Sequence, residues 1–212
     1  MRGPLRTDNE YNEYVKDFYR KVEDYDWNDV ADNWRGLESF VHRAREREIK
    51  KLIGVFSDKG RCLDVGCGTG LLLRHLSSGS IGVDINPRHV ERAKAYVPGA
   101  QVMVQDAEKL QFDEETFDMV ICTEVIEHLV RPDLALENIR RVLKRGGVLL
   151  GSTPKRSLLW RFRFLSSTHY HNEPFHNEYS EAEVTKLLSG YKIEMVRSVF
   201  YNSIYVFVAR KV

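Results

Sequence analysis

Long apolar runs are missing from this sequence, and so is any excess of charge of one sign. No stretch approaches the roughly 18 apolar residues of a membrane-spanning helix, and no long apolar run follows the charges near the N-terminus. Lysine and arginine (32) balance aspartate and glutamate (31), so the formal net charge is +1. Such a balance offers no broad phosphate-binding surface and argues against a nucleic-acid partner. We expect a soluble, cytoplasmic protein.

Cysteine is scarce as well. Cys62, Cys67 and Cys122 lie in or beside predicted buried strands and lack the spacing of metal ligands. They suit reduced core cysteines in a cytosolic protein, and no disulfide framework is predicted. With 212 residues, the chain is long enough for one well-buried domain and too short for two full ones. We therefore predict a single core.

Glycine is concentrated in the stretch CLDVGCGTG, which covers residues 62–70. Its glycines are Gly66, Gly68 and Gly70. An apolar strand that ends near Asp64 runs into them, and they let the backbone turn sharply and approach a ligand without a Cβ in the way. Residues 71–76 are helical in character, so we predict a strand, a loop and a helix around a nucleotide-type cofactor. Such loops also occur as plain turns between a strand and a helix, so the motifs elsewhere in the chain are needed to distinguish a cofactor site from a turn.

Two amphipathic helices are predicted before this stretch. Apolar residues at a spacing of three and four predict one over 8–24 and another over 37–56. The arginines and glutamates of the second helix are interpreted as a solvated face. The first helix either packs as plain core or covers the mouth of the cofactor site, with Tyr14 and Tyr19 as the candidate lid residues.

Carboxylates follow four successive predicted strands. They are Asp64, Asp84, Asp106 and Glu124. Asp84 ends the strand in SIGVD, where its carboxylate can reach both hydroxyls of a ribose, and Asn86 with Pro87 then cap and begin a helix. Because parallel strands present ligands at their carboxyl ends, we expect the four acids to surround one site.

Strands and helices alternate through the middle of the chain. Strands are predicted over 101–105, 117–123 and 148–152, and a helix over 132–144. This alternation predicts a parallel sheet covered by helices on both faces. Ser180 and Glu183 have capping-box spacing before a helix, and two final strands, 192–200 and 204–210, are joined by a turn around Asn202 and are therefore antiparallel.

The ordered set of motifs resembles the class I, Rossmann-like S-adenosylmethionine-dependent methyltransferases, and most of all the small-molecule methyltransferases of quinone biosynthesis. DVGCGTG, the strand end at Asp84, QDAEKLQF and EVIEHL occur in that family's order and approximate spacing, from about residue 37 onwards. The pattern GxGxG and the terminal hairpin separate the chain from nicotinamide-dependent dehydrogenases. The resemblance implies an α/β fold with a doubly wound seven-stranded sheet, mainly parallel, that ends in an antiparallel hairpin.

The resemblance implies one methyltransferase domain over 1–212 whose cofactor is S-adenosyl-L-methionine. Its parts would be an N-terminal helical lid (1–56), a cofactor-binding core (57–153), a substrate-site insertion (154–179) and a C-terminal helix with the hairpin (180–212). The oligomeric state is left open by the sequence.

Cofactor-binding roles follow from the resemblance residue by residue. The residues concerned are Asp64, Gly66, Cys67, Gly68, Gly70, Asp84, Ile85, Asp106, Ala107, Thr123 and Glu124. The loop from Gly66 to Gly68 would lie under the methionine part, and Asp84 would hold the ribose. Asp106 with Ala107 would meet the adenine ring, on which Ile85 would pack. The last two residues of the set would line the cofactor at the end of the fourth strand. Each carboxylate has a helix cap or a surface acid as its alternative role.

A hydroxyl acceptor calls for a general base, and the sequence offers His128 first and Glu127 next to it. A histidine bonded to a neighbouring loop is the alternative for His128. Glu124, Glu127 and His128 could also share one helical face and hold a divalent metal, completed by His171 or His176, as in some small-RNA 2′-O-methyltransferases. Metal-free relatives carry a similar segment, so no metal is predicted.

Residues 155–164 interleave basic and bulky apolar side chains. They are interpreted as a substrate lid or as an interfacial segment that contacts a membrane, as in quinone-biosynthesis O-methyltransferases. The first interpretation is preferred. The predicted partner is a small-molecule or lipid-like acceptor, such as a prenylated phenol, methylated at a hydroxyl oxygen. The alternatives are an RNA methyltransferase and a non-catalytic regulatory module that binds the cofactor.

Overall fold

The computed structural model describes residues 8–22, 27–32, 38–56, 60–157 and 174–212. The helices are α1 (Asp8–Lys21), α2 (Trp27–Asp32), α3 (Glu38–Phe56), α4 (Pro87–Tyr96), α5 (Pro132–Val142) and α6 (Glu181–Leu187). The strands are β1 (Cys62–Val65), β2 (Ile81–Asp84), β3 (Gln101–Val104), β4 (Phe117–Thr123), β5 (Leu143–Pro154), β6 (Lys192–Val199) and β7 (Ile204–Arg210). Short 3₁₀ turns cover Leu73–His75, Ala107–Lys109 and Ile126–His128.

The seven strands form one sheet in the order β3-β2-β1-β4-β5-β7-β6. The pairs among β1 to β5 are parallel, and β7 runs antiparallel to both β5 and β6. The predicted fold class is therefore confirmed. The connections change direction between β1 and β4, and open α/β sheets bind ligands at the carboxyl ends of strands at such a point.

The two faces of the central strands are buried under different helices. Val120 and Cys122 of β4 belong to an apolar cluster with Ile139 of α5. The alternate β4 residues Met119 and Ile121 pack in a second cluster with α3 residues, including Ile49. Burial on both faces explains why β1 and β4 read as nearly continuous apolar runs. The three cysteines are free and buried, as the sequence predicted.

The segment after the glycine loop departs from the prediction. A helix over 71–76 is wrong, because the backbone forms only the 3₁₀ turn Leu73–His75. Leu71, Leu72 and Leu73 are all buried. A helix on the protein surface buries only the side chains along one face, so it would not bury three consecutive leucines. The six-residue α2 was not predicted, since it is too short to show a period.

The C-terminal part follows its sequence signals. Ser180 caps α6 together with Glu183 in a reciprocal capping box. The turn of the final hairpin places Phe200, Tyr201 and Asn202 at φ values of 46°, 50° and 64°, and asparagine is among the residues that tolerate this region best. Among the described residues, no helix is long and apolar enough to cross a membrane.

Candidate cofactor and active site

The glycine loop is tied to the neighbouring strand through its own amides. Gly66 N and Cys67 N both donate to Val83 O, at 2.8 and 3.0 Å. Gly68 N donates to Asp84 Oδ2 at 2.9 Å. These amides already have protein acceptors, so they do not form an anion cradle of the kind that holds a pyrophosphate. The loop instead brings its backbone close to whatever lies above β1 and β2.

Gly66 also allows the loops after β1 and β4 to touch. Its φ is +71°, and a Cβ there would lie 2.2 Å from Val125 Cγ2. The glycine is therefore needed both for its backbone conformation and for the packing of the segment that carries Glu124 and Glu127. This contact fixes the two strand ends at the point where the strand order changes.

Asp84 lies at the end of β2, where the sequence predicted a ribose-binding acid. Besides the amide of Gly68, its carboxylate accepts Asn86 N at 2.8 Å through Oδ1, and His89 Nδ1 lies 3.5 Å from the same oxygen. The side chain keeps 11% of its surface exposed. A carboxylate offers about four lone-pair sites, so Asp84 is held firmly and still has capacity to accept hydroxyl hydrogens.

Asp64 is the most unusual acid of the site. It is buried, and its Oδ2 has no hydrogen-bond partner among the described residues. Burial and, next, the charge of Asp84 raise the pKa of the Asp64 carboxyl to about 7, against the opposing charge of Arg45. Buried polar atoms are nearly always paired, so an orphaned oxygen at the end of β1 fits a ligand that brings a positive or N–H group. The residues present thus fit the methionine end of S-adenosylmethionine.

Asp106 has a strong structural role. Its Oδ1 accepts Glu108 N at 2.9 Å and caps a 3₁₀ turn, while its Oδ2 lies 2.8 Å from Lys16 Nζ. Lys16 also reaches Glu108 Oε2 at 2.7 Å, and Asn12 Nδ2 donates to the same oxygen at 2.9 Å. Ala107, which follows Asp106, is half-buried. The helix-cap alternative is therefore present for Asp106, together with an ion pair to α1.

The contacts of α1 raise the pKa of Lys16. Burial alone would lower the pKa of its ammonium, but hydrogen bonds and charges from Asp106 and Glu108 outweigh burial and raise that pKa. Asn86 holds the other end of the helix, since its Nδ2 donates to Tyr19 O at 3.0 Å and to Val22 O at 2.8 Å. Helix α1 therefore lies across the carboxyl ends of β2 and β3.

Glu124, directly after β4, is held from two sides. Ser152 Oγ donates to Glu124 Oε1 at 2.8 Å, and Arg45 Nη1 lies 3.6 Å from Oε2. Its φ is +53°, a conformation that costs a residue with a Cβ about 1–2 kcal/mol. Strained backbone of this kind gathers at functional sites. The preceding Thr123 is 9% exposed.

Glu127 and His128 lie on the 3₁₀ turn after β4. Glu127 is 1% exposed, and Thr153 Oγ1 donates to its Oε2 at 3.1 Å. Burial, followed by the charge of Glu124, raises the pKa of Glu127 well above its usual range. His128 Nε2 lies 3.9 Å from Glu127 Oε1, and its Nδ1 is 2.9 Å from Tyr19 Oη.

The helical face proposed for Glu124, Glu127 and His128 does not form. Glu124 is in the left-handed region, and the following turn is 3₁₀ rather than α-helical. Within the described ranges, no three histidine, cysteine, aspartate or glutamate side chains are placed to hold a metal ion. His176 stacks edge-on against His128 with 5.1 Å between ring centroids, whereas His171 lies outside the described residues.

Two residues near the site were not identified from the sequence. Arg45, read as part of a solvated face of α3, is 6% exposed and faces Glu124. Lys16, likewise, is 3% exposed. Neither is distinguished by its local sequence from the many other basic residues. Tyr14, by contrast, was a lid candidate but is 45% exposed and stacks on Tyr11.

Residues 63–151 match a protein-family model described as a methyltransferase domain. A ubiquinone biosynthesis O-methyltransferase of Coxiella burnetii is 32% identical over 142 residues, which cover 62% of this chain and 61% of that protein. The match thus spans about three fifths of that relative's length.

Solved structures of similar shape include a magnesium protoporphyrin IX methyltransferase from Synechocystis with bound S-adenosylhomocysteine. Its TM-score is 0.69 at 17% identity, with 94% of this chain and 99% of that chain covered. The [4+2]-cyclase SpnF has a TM-score of 0.66 at 18% identity, with 80% and 82% covered. At these identities, the likeness shows the fold alone.

Proposed function

Residues 63–151 are a methyltransferase domain of the class I, Rossmann-like kind, and from that premise we propose that the chain transfers a methyl group to a hydroxyl oxygen of a small-molecule or lipid-like acceptor. The family's cofactor is S-adenosyl-L-methionine. The observation that carries the proposal is the joint placement of an orphaned carboxylate oxygen on Asp64 and a firmly held, partly exposed Asp84 beside the glycine loop.

The cofactor-binding roles predicted from the sequence enter this proposal unchanged. The loop of Gly66, Cys67, Gly68 and Gly70 would approach the methionine part closely, with Asp64 beneath it. Asp84 would accept the ribose hydroxyls through its remaining lone pairs. Ile85, Asp106 and Ala107 would border the adenine, and Thr123 with Glu124 would line the cofactor at the end of β4. The ordered acids at four strand ends support this assignment.

S-adenosylmethionine supplies an activated methyl group on a sulfonium sulfur. The protein has to align the acceptor oxygen with that group, exclude water and take up the hydroxyl proton. His128 is 26% exposed at its side chain and lies beside the strand ends, so we assign it as the general base. Glu127, buried next to it, is the second candidate for the proton-transfer role.

The acceptor class rests on the relatives. The Coxiella protein is named for ubiquinone biosynthesis and the Synechocystis structure for magnesium protoporphyrin IX. Both names describe small molecules, and the name O-methyltransferase of the Coxiella protein supports a hydroxyl as the reactive group here. An RNA acceptor and a regulatory module without catalysis are the alternatives that the following assay distinguishes.

We expect a radiolabelled methyl group to pass from S-adenosylmethionine to a short-chain prenylated catechol, with the label recovered in organic solvent. His128→Gln should lower kcat by about 100-fold while calorimetry shows unchanged cofactor affinity. Label recovered only in RNA would favour the RNA alternative. Tight cofactor binding without transfer to any acceptor in a cell extract would favour the regulatory module.

The interfacial interpretation of residues 155–164 belongs to this proposal too, although 158–164 lie outside the described residues. Its basis is the interleaved basic and aromatic sequence. The preferred substrate-lid interpretation predicts that the protein and its double substitution of Trp160 and Phe162 by serine are recovered equally in the supernatant after sedimentation with vesicles that contain an anionic lipid. Vesicle binding that the double substitution reduces would favour the membrane-contacting interpretation instead.

A further inference from the structure

His89 is a buried histidine of α4 that lies beside the acid proposed to bind the ribose. Its Nδ1 is 3.5 Å from Asp84 Oδ1, and the residue is only 8% exposed. The other ring nitrogen, Nε2, is buried and has no hydrogen-bond partner among the described residues. Buried polar side-chain atoms are nearly always paired, so an unpaired one beside a ligand-binding acid indicates a partner that the ligand supplies.

The position of His89 on its helix places it on the side of the glycine loop. A Cβ at Gly70 would lie 3.5 Å from Ala93 Cβ and 3.0 Å from Val97 Cγ2, so these two residues face the loop. His89 precedes them by four and eight positions, which puts it on the same face of α4 and one turn closer to the start of the helix. Helical side chains also lean towards the N-terminus of their helix. His89 therefore faces the glycine loop next to Asp84, at the carboxyl ends of β1 and β2.

Packing alone does not account for a histidine at this position. Val90 and Ala93, which follow it on α4, belong to an apolar cluster with Cys67 of the glycine loop. An apolar side chain at position 89 would suit these neighbours and would leave no buried nitrogen unpaired. An unpaired buried polar atom destabilises the folded state, and departures of this kind are expected at functional sites.

A ribose carries groups that suit both side chains. Each of its two neighbouring hydroxyls can donate and accept a hydrogen bond, whereas the Asp84 carboxylate only accepts. An imidazole nitrogen donates or accepts according to its tautomer, and a hydroxyl can pair with it in either case. We propose that His89 is a further cofactor-binding residue that holds the ribose together with Asp84, with His89 Nε2 hydrogen-bonded to one ribose hydroxyl. The inference rests on the proposed cofactor and on the ribose role of Asp84.

Removing single hydroxyls from the ligand tests this assignment. S-adenosylhomocysteine and its 2′-deoxy and 3′-deoxy analogues differ only in the ribose, and calorimetry with the full chain gives the dissociation constant of each. We expect His89→Leu to weaken S-adenosylhomocysteine about tenfold and to bind one of the two deoxy analogues within about twofold of wild type. A loss of the same size for all three ligands would mean that His89 only shapes the loop, and would overturn the inference.

The stability of the ligand-free protein gives an independent readout. Because leucine leaves no nitrogen unpaired, we expect His89→Leu to unfold at a urea concentration equal to or above that of wild type. His75 is the matched control, since its Nε2 lies 2.7 Å from Glu46 Oε1 on the turn after the glycine loop. We expect His75→Leu to lower the urea midpoint and to change the affinities for all three ligands by one common factor. An equally large drop in His89→Leu would identify a structural histidine and overturn the inference.

A measurement on the wild-type chain decides the matter even if His89→Leu does not fold. In protein labelled with ¹⁵N-histidine, the spectrum of His89→Gln identifies the His89 signals. We expect S-adenosylhomocysteine to shift the Nε2 resonance, and the analogue that lacks the contacted hydroxyl to shift it much less. An unchanged resonance at saturation with S-adenosylhomocysteine would overturn the inference. Failure of all three ligands to bind the folded wild-type protein would overturn the proposed cofactor, and the ribose role of His89 with it.

Discussion

Two acids proposed to bind the cofactor lie at the carboxyl ends of β1 and β2, and Asp64 has the more unusual environment of the two. Its carboxyl is buried with one oxygen unpaired, and its pKa is raised to about 7. The nearby Asp84, by contrast, is fixed by two backbone amides and stays partly exposed. The two aspartates thus have different environments, because the side chain of Asp64 is enclosed by the protein and that of Asp84 keeps part of its surface exposed.

Asp64 should make the stability of the protein depend on pH in an unusual direction. Its pKa is higher in the folded than in the unfolded chain, so folding takes up a proton between about pH 4 and pH 7 and stability falls as pH rises through that range. The slope should approach about 1.4 kcal/mol per pH unit. Asp64→Asn should lack this contribution, so that its stability relative to wild type improves from pH 4 to pH 7 in urea titrations.

An exposed acid supplies the comparison for this prediction. Asp113 is exposed, and Asp113→Asn should run parallel to wild type across the same pH range. Parallel curves for Asp64→Asn as well would show that Asp64 is ionised normally in the folded protein.

Glycine at position 66 is predicted to be irreplaceable for packing as well as for backbone conformation. Gly66→Ala would strain a φ of +71° and place a Cβ 2.2 Å from Val125 Cγ2. Gly79→Ala would strain a similar φ of +86° in open space. We expect losses of about 3 kcal/mol and about 1 kcal/mol in the free energy of unfolding. Equal losses would mean that the contact with Val125 relaxes without cost.

At the scale of elements, the glycine loop, the strand ends and the terminal hairpin could be predicted from the sequence, because each is specified by neighbouring residues. Helix α1 could be predicted as a helix, but its attachments could not. Lys16 and Glu108 are 92 positions apart, and Tyr19 and His128 are 109 apart. Long-range pairs of this kind leave no periodic signal. The buried Arg45 was misread for the same reason, since its partner Glu124 lies on a different element.

The attachment of α1 yields a prediction of its own. Lys16→Met would leave the buried carboxylate of Glu108 and the partly buried one of Asp106 without their cation, and we expect a loss of about 3 kcal/mol in the free energy of unfolding. Lys21→Met, on the same helix, removes an exposed pair with Asp17 and should leave the free energy of unfolding nearly unchanged, because solvent screens such pairs. Urea denaturation measures both.

The pH dependence of this ion pair has a definite sign. Because the folded-state pKa of Lys16 is raised, its contribution is fully present below the ordinary lysine pKa of 10.5 and is lost as pH rises beyond it. A wild-type stability gap over Lys16→Met that stayed constant above that pH would contradict the described pairing.

On the scale of the whole molecule, the strand order brings residues from distant parts of the chain to one edge of the sheet. Asp64, Asp84 and Asp106 reach it from three adjacent strands, and α1 lies across the ends of two of them. The fold class could be predicted because alternation of strands and helices allows few topologies. The acceptor could not, because most of the segment between β5 and α6 has no regular pattern in its sequence.

Calorimetric titration of the purified protein with S-adenosylmethionine and with S-adenosylhomocysteine measures directly whether the chain binds the methyl-donor cofactor. We predict that both bind at one site per chain, with dissociation constants between about 1 μM and 1 mM, and that Asp84→Ala weakens both at least tenfold while Asp113→Asn does not. Absence of heat from both compounds, in a protein whose circular dichroism shows the folded state, would contradict S-adenosylmethionine as its cofactor.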